Sequence, residues 1–294
     1  MTAFCACLAT IAGLAALAGL AVPAQATELK PETVAAFESY VRTREAQMEA
    51  STRMGSFLYT EALPETSRKE LESQLRQGEF LILGVSTISD SQPVHIPNGL
   101  IHDWMGMAFI PGATAAQVNA VLQDFDHQQT IYKPDIRRSR LLERNGNQYK
   151  ISLQFYTKVV FTVIMNGYFN VDYTPLGETR AESKSYSTRF AEVEDAGKPS
   201  EHEAPAGKEH GYMWRMNSYW KVEQKDGGVY IQVESIGLTR GIPFLYAWLA
   251  DPLLRSLPQR YLADLLSDTR KAVIAEEGVS AGSGRDNSNR RLHP

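Results

Sequence analysis

The sequence has 294 residues, 30 basic and 34 acidic, for a formal net charge of −4. That length suits one large domain or two small ones, long enough for a sizeable core. Charges of both signs spread along the chain leave no basic footprint for nucleic acid or for an anionic membrane surface.

In chain order, the first signal is MTAFCACLATIAGLAALAGLAVPAQA, residues 1–26. It carries no charged side chain and ends in Ala24-Gln25-Ala26, the small-x-small pattern that signal peptidase cuts. We read it as an export signal with Thr27 opening the mature chain, which places the protein in the periplasm or outside the cell. A retained membrane anchor is the competing reading, since about 20 apolar residues can span a bilayer. The Ala- and Gly-rich composition favours cleavage, whereas the lack of a Lys or Arg before the apolar run departs from the usual signal. Both cysteines, Cys5 and Cys7, lie in this segment, so cleavage leaves no thiol for a disulfide, a nucleophile or a metal. Neither stands at the cleavage point, which argues against a lipid anchor.

Residues 27–99 read as an extension. Pro31 to Ala50 is expected to be a helix, with Pro31 in its first turn and Val34, Phe37, Val41 and Met48 at helical spacing. A shorter helix is expected near Thr66 to Gln77, ended by Gly78. A β-rich stretch from Glu79 to Ser89 and a Pro-containing loop follow. Whether this extension packs outside the main body or acts as a lid stays open.

From Leu100 the pattern sharpens. LIHDWMGMAFI reads as a strand, and a helix capped by Thr114 carries Val118, Val121, Leu122 and Phe125 on one stripe. Six strands are then expected: Ile136 to Arg144, Gln148 to Tyr156, Val159 to Asn166 and on toward Tyr173, Arg180 to Val193, Gly211 to Gln224, and Gly228 to Thr239. Asn145-Gly146-Asn147 and Asp226-Gly227-Gly228 supply hairpin turns. Ala196 to Gly211 reads as a long mobile loop. Pro243 to Ile274 is a long helical stretch that Pro252 and Pro258 should bend or divide, and 276–294 is expected to be disordered.

Two stretches carry a family likeness: AQVNAVLQDFDHQQTIYKPDI, and SYWKVEQKDGGVYIQVES leading into GIPFLYAWLADPLLRSLPQRYLADLLSDTR. With the order of elements, they resemble the helix-grip superfamily of START domains, pollen-allergen-like proteins and polyketide cyclases, over about Leu100 to Ala275. The resemblance implies an α+β fold in which a curved antiparallel sheet wraps the C-terminal helix and leaves a cavity between them. It also implies a partner that is a hydrophobic small molecule or lipid, with no cofactor, and it leaves transient membrane contact and the oligomeric state open.

Candidate ligand contacts are His102, Tyr132, Tyr168, Arg189, Trp214, Arg215, Trp220, Glu234 and Trp248. Tyr and Trp join an apolar body to one hydrogen-bonding atom, which suits a hydrophobic ligand with a polar end. Arg189 shares the parity of Ser185 and Ser187 and could anchor a carboxylate or phosphate. Strand alternation puts Trp214, Met216, Ser218, Trp220 and Val222 on the inner face, and Arg215, Asn217 and Glu234 on a solvated outer face. A bulge would reverse those three and bring Arg215 toward Glu234. No nucleophile elbow, phosphate loop or dinucleotide fingerprint is present. His202, Glu203 and His210 share one polar loop and read as solvated, so no metal site is expected. Asp124, Asp126 and His127 near Tyr132 read chiefly as a wet helix end. The first functional reading is a carrier; a cyclase- or hydrolase-type enzyme using the same cavity through His102, Tyr132 or Arg215 is the alternative, and a protein-interaction or envelope-structural role the third.

Overall fold

The computed structural model describes residues 28–85, 88–89, 92–94, 96–158, 162–240 and 259–275. The segment 1–26 read as an export signal, Trp248, the first part of the helix expected over 243–274, and residues 276–294 lie outside these residues.

The extension folds first. Helix α1 spans Pro31–Arg53 with Pro31 in its first turn, a 3-10 turn covers Tyr59–Ala62, and α2 covers Glu65–Arg76. Gly78, at φ +102°, closes α2 in the left-handed conformation that glycine adopts without a Cβ penalty. Strand β1 is Leu81–Gly84, and β2 (Ile88–Ser89) pairs with β3 (Gln92–Pro93) as a separate small hairpin.

Strand β4, Gly99–Pro111, starts the main body. Helix α3, Ala115–Gln123, follows it and is capped as expected, Thr114 Oγ1 accepting from Gln117 N while Gln117 Oε1 accepts from Thr114 N. One turn of helix α4, Gln128–Ile131, leads into the meander β5 (Ile136–Asn145), β6 (Gln148–Lys158), β7 (Thr162–Pro175) and β8 (Arg180–Glu194). Two-residue β9 (His202–Glu203), β10 (Arg215–Lys225) and β11 (Gly228–Arg240) complete the strands, and helix α5 occupies residues 259–275. Asp226 and Gly227 both take positive φ, +56° and +77°, matching the right-handed twist of the β10–β11 hairpin.

These strands form a nine-stranded antiparallel sheet in the order β1-β4-β11-β10-β8-β7-β6-β5, with β9 added alongside β8. Its inner face is covered by α5: Leu262, Leu266 and Val273 pack with Ala108, Ile110, Val222, Val229, Ile231 and Val233. Close approach is possible because Gly106 has no side chain; a Cβ there would lie 2.9 Å from Leu266 Cδ1 and 3.1 Å from Ile82 Cδ1. The arrangement is a helix grip, an antiparallel sheet folded against its C-terminal helix.

The extension's place is now settled, and it corrects the expectation of a solvated outer face. Helix α1 lies on that face, burying Phe37, Tyr40 and Val41 against Ile101, Tyr219, Ile236 and Leu238. The 3-10 region and α2 cover the rest, with Phe57, Leu58 and Leu75 on Met105, Met107, Phe109 and Tyr230. The sheet is therefore the middle of three layers.

The segment Ala196 to Gly211 differs from the mobile loop that its composition suggests. Strand β9 pairs with β8, and Ala204 is buried with its N–H donating to Glu192 O. Glu203 is what fastens it, accepting from Tyr168 Oη at 2.6 Å and Asn166 Nδ2 at 2.8 Å and pairing with Arg189 at 2.7 Å.

Candidate functional site

The inner face has two halves. One is the aliphatic seat of α5. The other, on β6 to β8, is aromatic: Phe155, Phe169 and Phe190 meet with ring centroids 5.7–6.1 Å apart, and Phe125 leans on Tyr149 at 5.1 Å. Gly167 makes room for the rings, since a Cβ there would sit 2.7 Å from Phe169 and 2.9 Å from Phe155. Gly167→Ala should therefore lower stability by about 1–3 kcal/mol through overpacking, measured as a drop in the urea midpoint at constant m-value.

Of the described apolar residues of α5, Leu265 packs on both the aromatic and the aliphatic clusters, whereas Leu262, Leu266 and Val273 belong to the aliphatic half. Tyr132 stands where the halves meet. Its hydroxyl lies 3.1 Å from Thr269 Oγ1, and Thr269 in turn donates to Leu265 O at 2.8 Å. Burial pushes the Tyr132 phenol up to about 12. His102 also lies on the inner strand parity, its Nε2 3.0 Å from Thr239 Oγ1, and burial lowers its pKa so that the imidazole is neutral. Trp220 packs against the aliphatic cluster, as alternation predicts.

The remaining candidates are on the other side. Trp214 precedes β10 instead of continuing its alternation, donates its N–H to Leu238 O, and is buried with Phe37 and Tyr40. Arg189 is turned outward by a bulge: Tyr168 pairs with Arg189 but Phe169 with Ser187, leaving Thr188 as the extra residue. The same irregularity swings Phe190 inward to the aromatic cluster. Tyr168 and Arg189 thus meet Glu203 on the outer face. Arg215 donates to Trp214 O and faces Leu238 across the strands, well separated along them from Glu234, whose register partner is Tyr219. Trp248 lies outside the described residues. His102, Tyr132, Arg189, Arg215 and Glu234 each bond a different partner.

Sequence reasoning missed the most strongly perturbed group of charges. Asp103 and Glu234 project from β4 and β11 into the outer interface, 3% and 5% exposed, where α1 supplies Tyr40 and Arg44. Tyr40 Oη donates to Asp103 Oδ2 at 2.6 Å. Arg44 Nη2 donates to Glu234 Oε1 at 2.9 Å, and Arg44 Nε lies 3.3 Å from Asp103 Oδ2. The two carboxyls also act on each other electrostatically, and Asp103 Oδ1 is buried without a hydrogen-bond partner among the described residues. Burial, then the charge of Glu234, pushes Asp103 up to about 7, and burial raises Glu234 too. A signal was present: Arg44 falls on the Phe37, Val41, Met48 stripe of α1, and Asp103 has the parity of Ile101, Met105 and Met107.

Beside this cluster runs a cleft of about 380 Å³ between α1, the 3-10 turn, the end of β1 and the middle of β4, β10 and β11. Met48, Phe57, Leu58, Leu83 and Met105 line its apolar part, and Arg44, Lys221, Gln232 and Glu234 its polar part.

No protein-family model matches the sequence, and no curated protein matches it. The structure is similar to a STAR-related lipid transfer protein fragment from Xanthomonas axonopodis, at 16% identity over 60% of this chain and 93% of that one, TM-score 0.43. It is similar to the Zhui aromatase/cyclase from a Streptomyces species, at 12% identity over 59% and 94% of the two chains, TM-score 0.42. Human STARD10 matches at 10% identity over 75% of this chain and 84% of that one, TM-score 0.44.

Proposed function

We propose that this is an exported binding protein that holds a hydrophobic small molecule or lipid between the inner face of the sheet and its C-terminal helix. One observation carries the reading: α5 seats on the aliphatic half of the inner face and reaches the aromatic half through Leu265. An aromatic surface with few hydrogen-bonding groups near it, here Tyr132 and Thr269, is the usual make-up of a pocket for an apolar ligand. Packing of α1 and α2 on the outer face supports the same assignment, because it leaves the inner face for the proposed cargo. The enzyme reading is weakened by the separation of its acid–base candidates, each of which is tied to a structural partner.

Mass spectrometry of an organic extract of the protein, purified after export from its own cell type, is expected to show a bound hydrophobic compound. Leu265→Trp, which enlarges the side chain packed on the aromatic cluster, should abolish it. Extracts without cargo, together with a thermal midpoint that no member of a lipid and hydrophobic-metabolite panel raises, would refute the carrier. Export is checked separately by N-terminal sequencing of the periplasmic or secreted protein, which should begin at Thr27; a start at Met1 in the membrane fraction would support the anchor instead.

A further inference from the structure

The outer cleft contains a cation whose surroundings differ from those of its neighbours. Lys225, on the same face of β10, lies within 3.5 Å of three carboxylates, those of Glu61, Glu72 and Glu223. Lys184, on the adjoining β8, pairs with Glu49 at 3.3 Å. Lys221 stands between them and, among the described residues, has no carboxylate within ion-pair distance. Its Nζ donates to Phe57 O at 2.8 Å and Thr52 Oγ1 at 3.2 Å, and it lies 5.1 Å from the centre of the Phe57 ring. An ammonium group has three N–H donors, so these contacts leave one for a further partner.

The nearest acid in the cleft, Glu234, is engaged by Arg44. Among the residues lining the cleft, Arg44 and Lys221 stand against one carboxylate beside an apolar floor, while Glu182, across from Lys221 on β8, and Glu61 also act on its ammonium group. Burial also lowers the pKa of Lys221, the response of a desolvated ammonium, and an anion beside it would relieve that penalty. Gln232 uses its Oε1 to accept from Tyr59 N at 2.7 Å, so its amide N–H groups are the next donors along the wall.

We propose that this cleft is a second binding site, for an amphiphile with a single anionic head: the head pairs with Lys221, and the apolar portion lies on Met48, Leu83 and Met105. Charge complementarity selects the head, and the apolar floor selects the chain. Carboxylate and phosphate monoester heads share this chemistry and differ in charge and geometry. The site lies on the opposite face of the sheet from the proposed cargo, and so stands or falls independently of it.

Isothermal titration of the full exported chain with decanoate, decyl phosphate and decanol tests it. Saturable binding of at least one anion is expected, with weaker binding of decanol, and the tighter anion identifies the head group. Lys221→Gln should weaken the anion by about tenfold and leave decanol unchanged, as expected for loss of one charge-assisted hydrogen bond. Leu83→Trp, which fills the cleft, should remove binding of both, while Leu265→Trp on the inner face should leave both intact. The proposal is overturned if neither anion binds, if Lys221→Gln binds the anion as well as the natural protein does, or if Leu265→Trp removes binding while Leu83→Trp does not.

Discussion

Arg44→Met is expected to lower the unfolding free energy by about 3–5 kcal/mol, because it leaves two buried carboxyls facing each other without a counter-charge. At this chain length that corresponds to a fall in the thermal midpoint of roughly 10 °C. The substitution keeps the apolar stem that packs on the sheet, so the loss reports the charge. Replacing Arg44, Asp103 and Glu234 together by apolar residues of similar volume should recover most of it, since a whole buried ion cluster is often no better than well-packed hydrocarbon. The pH dependence follows from the same group. Asp103 is raised to about 7 in the fold, from about 3.9 in an unfolded chain. Between these values the folded state keeps a proton that the unfolded state releases, so the contribution of Asp103 is greatest at low pH. It declines as pH rises from about 4 to about 7 and is flat above. His102, held neutral by burial, acts in the opposite direction below its ordinary pKa. Comparison with Asp103→Asn isolates the carboxyl: the midpoint of the natural protein relative to that variant should fall between about pH 4 and about pH 7. A constant difference would show that the carboxyl is not protonated in the fold.

How much of this was legible follows from which forces are local. Hairpin turns such as Asp226-Gly227, the Thr114 cap and the strand parity of β4 and β11 depend on neighbours in sequence, and all were readable before the structure. Register was not. The extra residue at Thr188 is fixed by pairing with β7 and by Glu203 arriving from a distant loop, so Arg189 and Phe190 exchanged the faces that alternation gave them. The same limit applies to the outer face. Nothing local to β11 says that Glu234 is covered, because its cover is a helix 190 residues earlier. Yet each partner carried a local anomaly, Arg44 on an apolar stripe and Asp103 on an apolar strand face. Two such anomalies of opposite charge in separate elements are evidence that the elements pack together, and this rule would have placed α1 on the sheet.

The grip of the C-terminal helix can be tested at one side chain. Leu266 is fully buried and occupies the space left open by Gly106, against Ile82 and the β11 valines. Leu266→Ala should destabilise the protein by about 2–5 kcal/mol, through lost transfer energy and the cavity left behind. A double variant with Gly106→Ala separates the two contributions: the added Cβ enters the space vacated by the leucine, so the pair should be more stable than the sum of the single effects, with coupling on the order of 1 kcal/mol. Additive effects would mean that α5 does not contact β4 there. The same variants bear on cargo. Leu265 and Thr269 are held over the aromatic half by the helix turns that Leu262 and Leu266 anchor, so loosening that anchor changes one side of the proposed ligand site without touching its aromatic side. Leu266→Ala is therefore expected to weaken retention of extracted cargo at temperatures well below its own midpoint, and restoration of retention in the Gly106→Ala double variant would tie helix seating directly to binding.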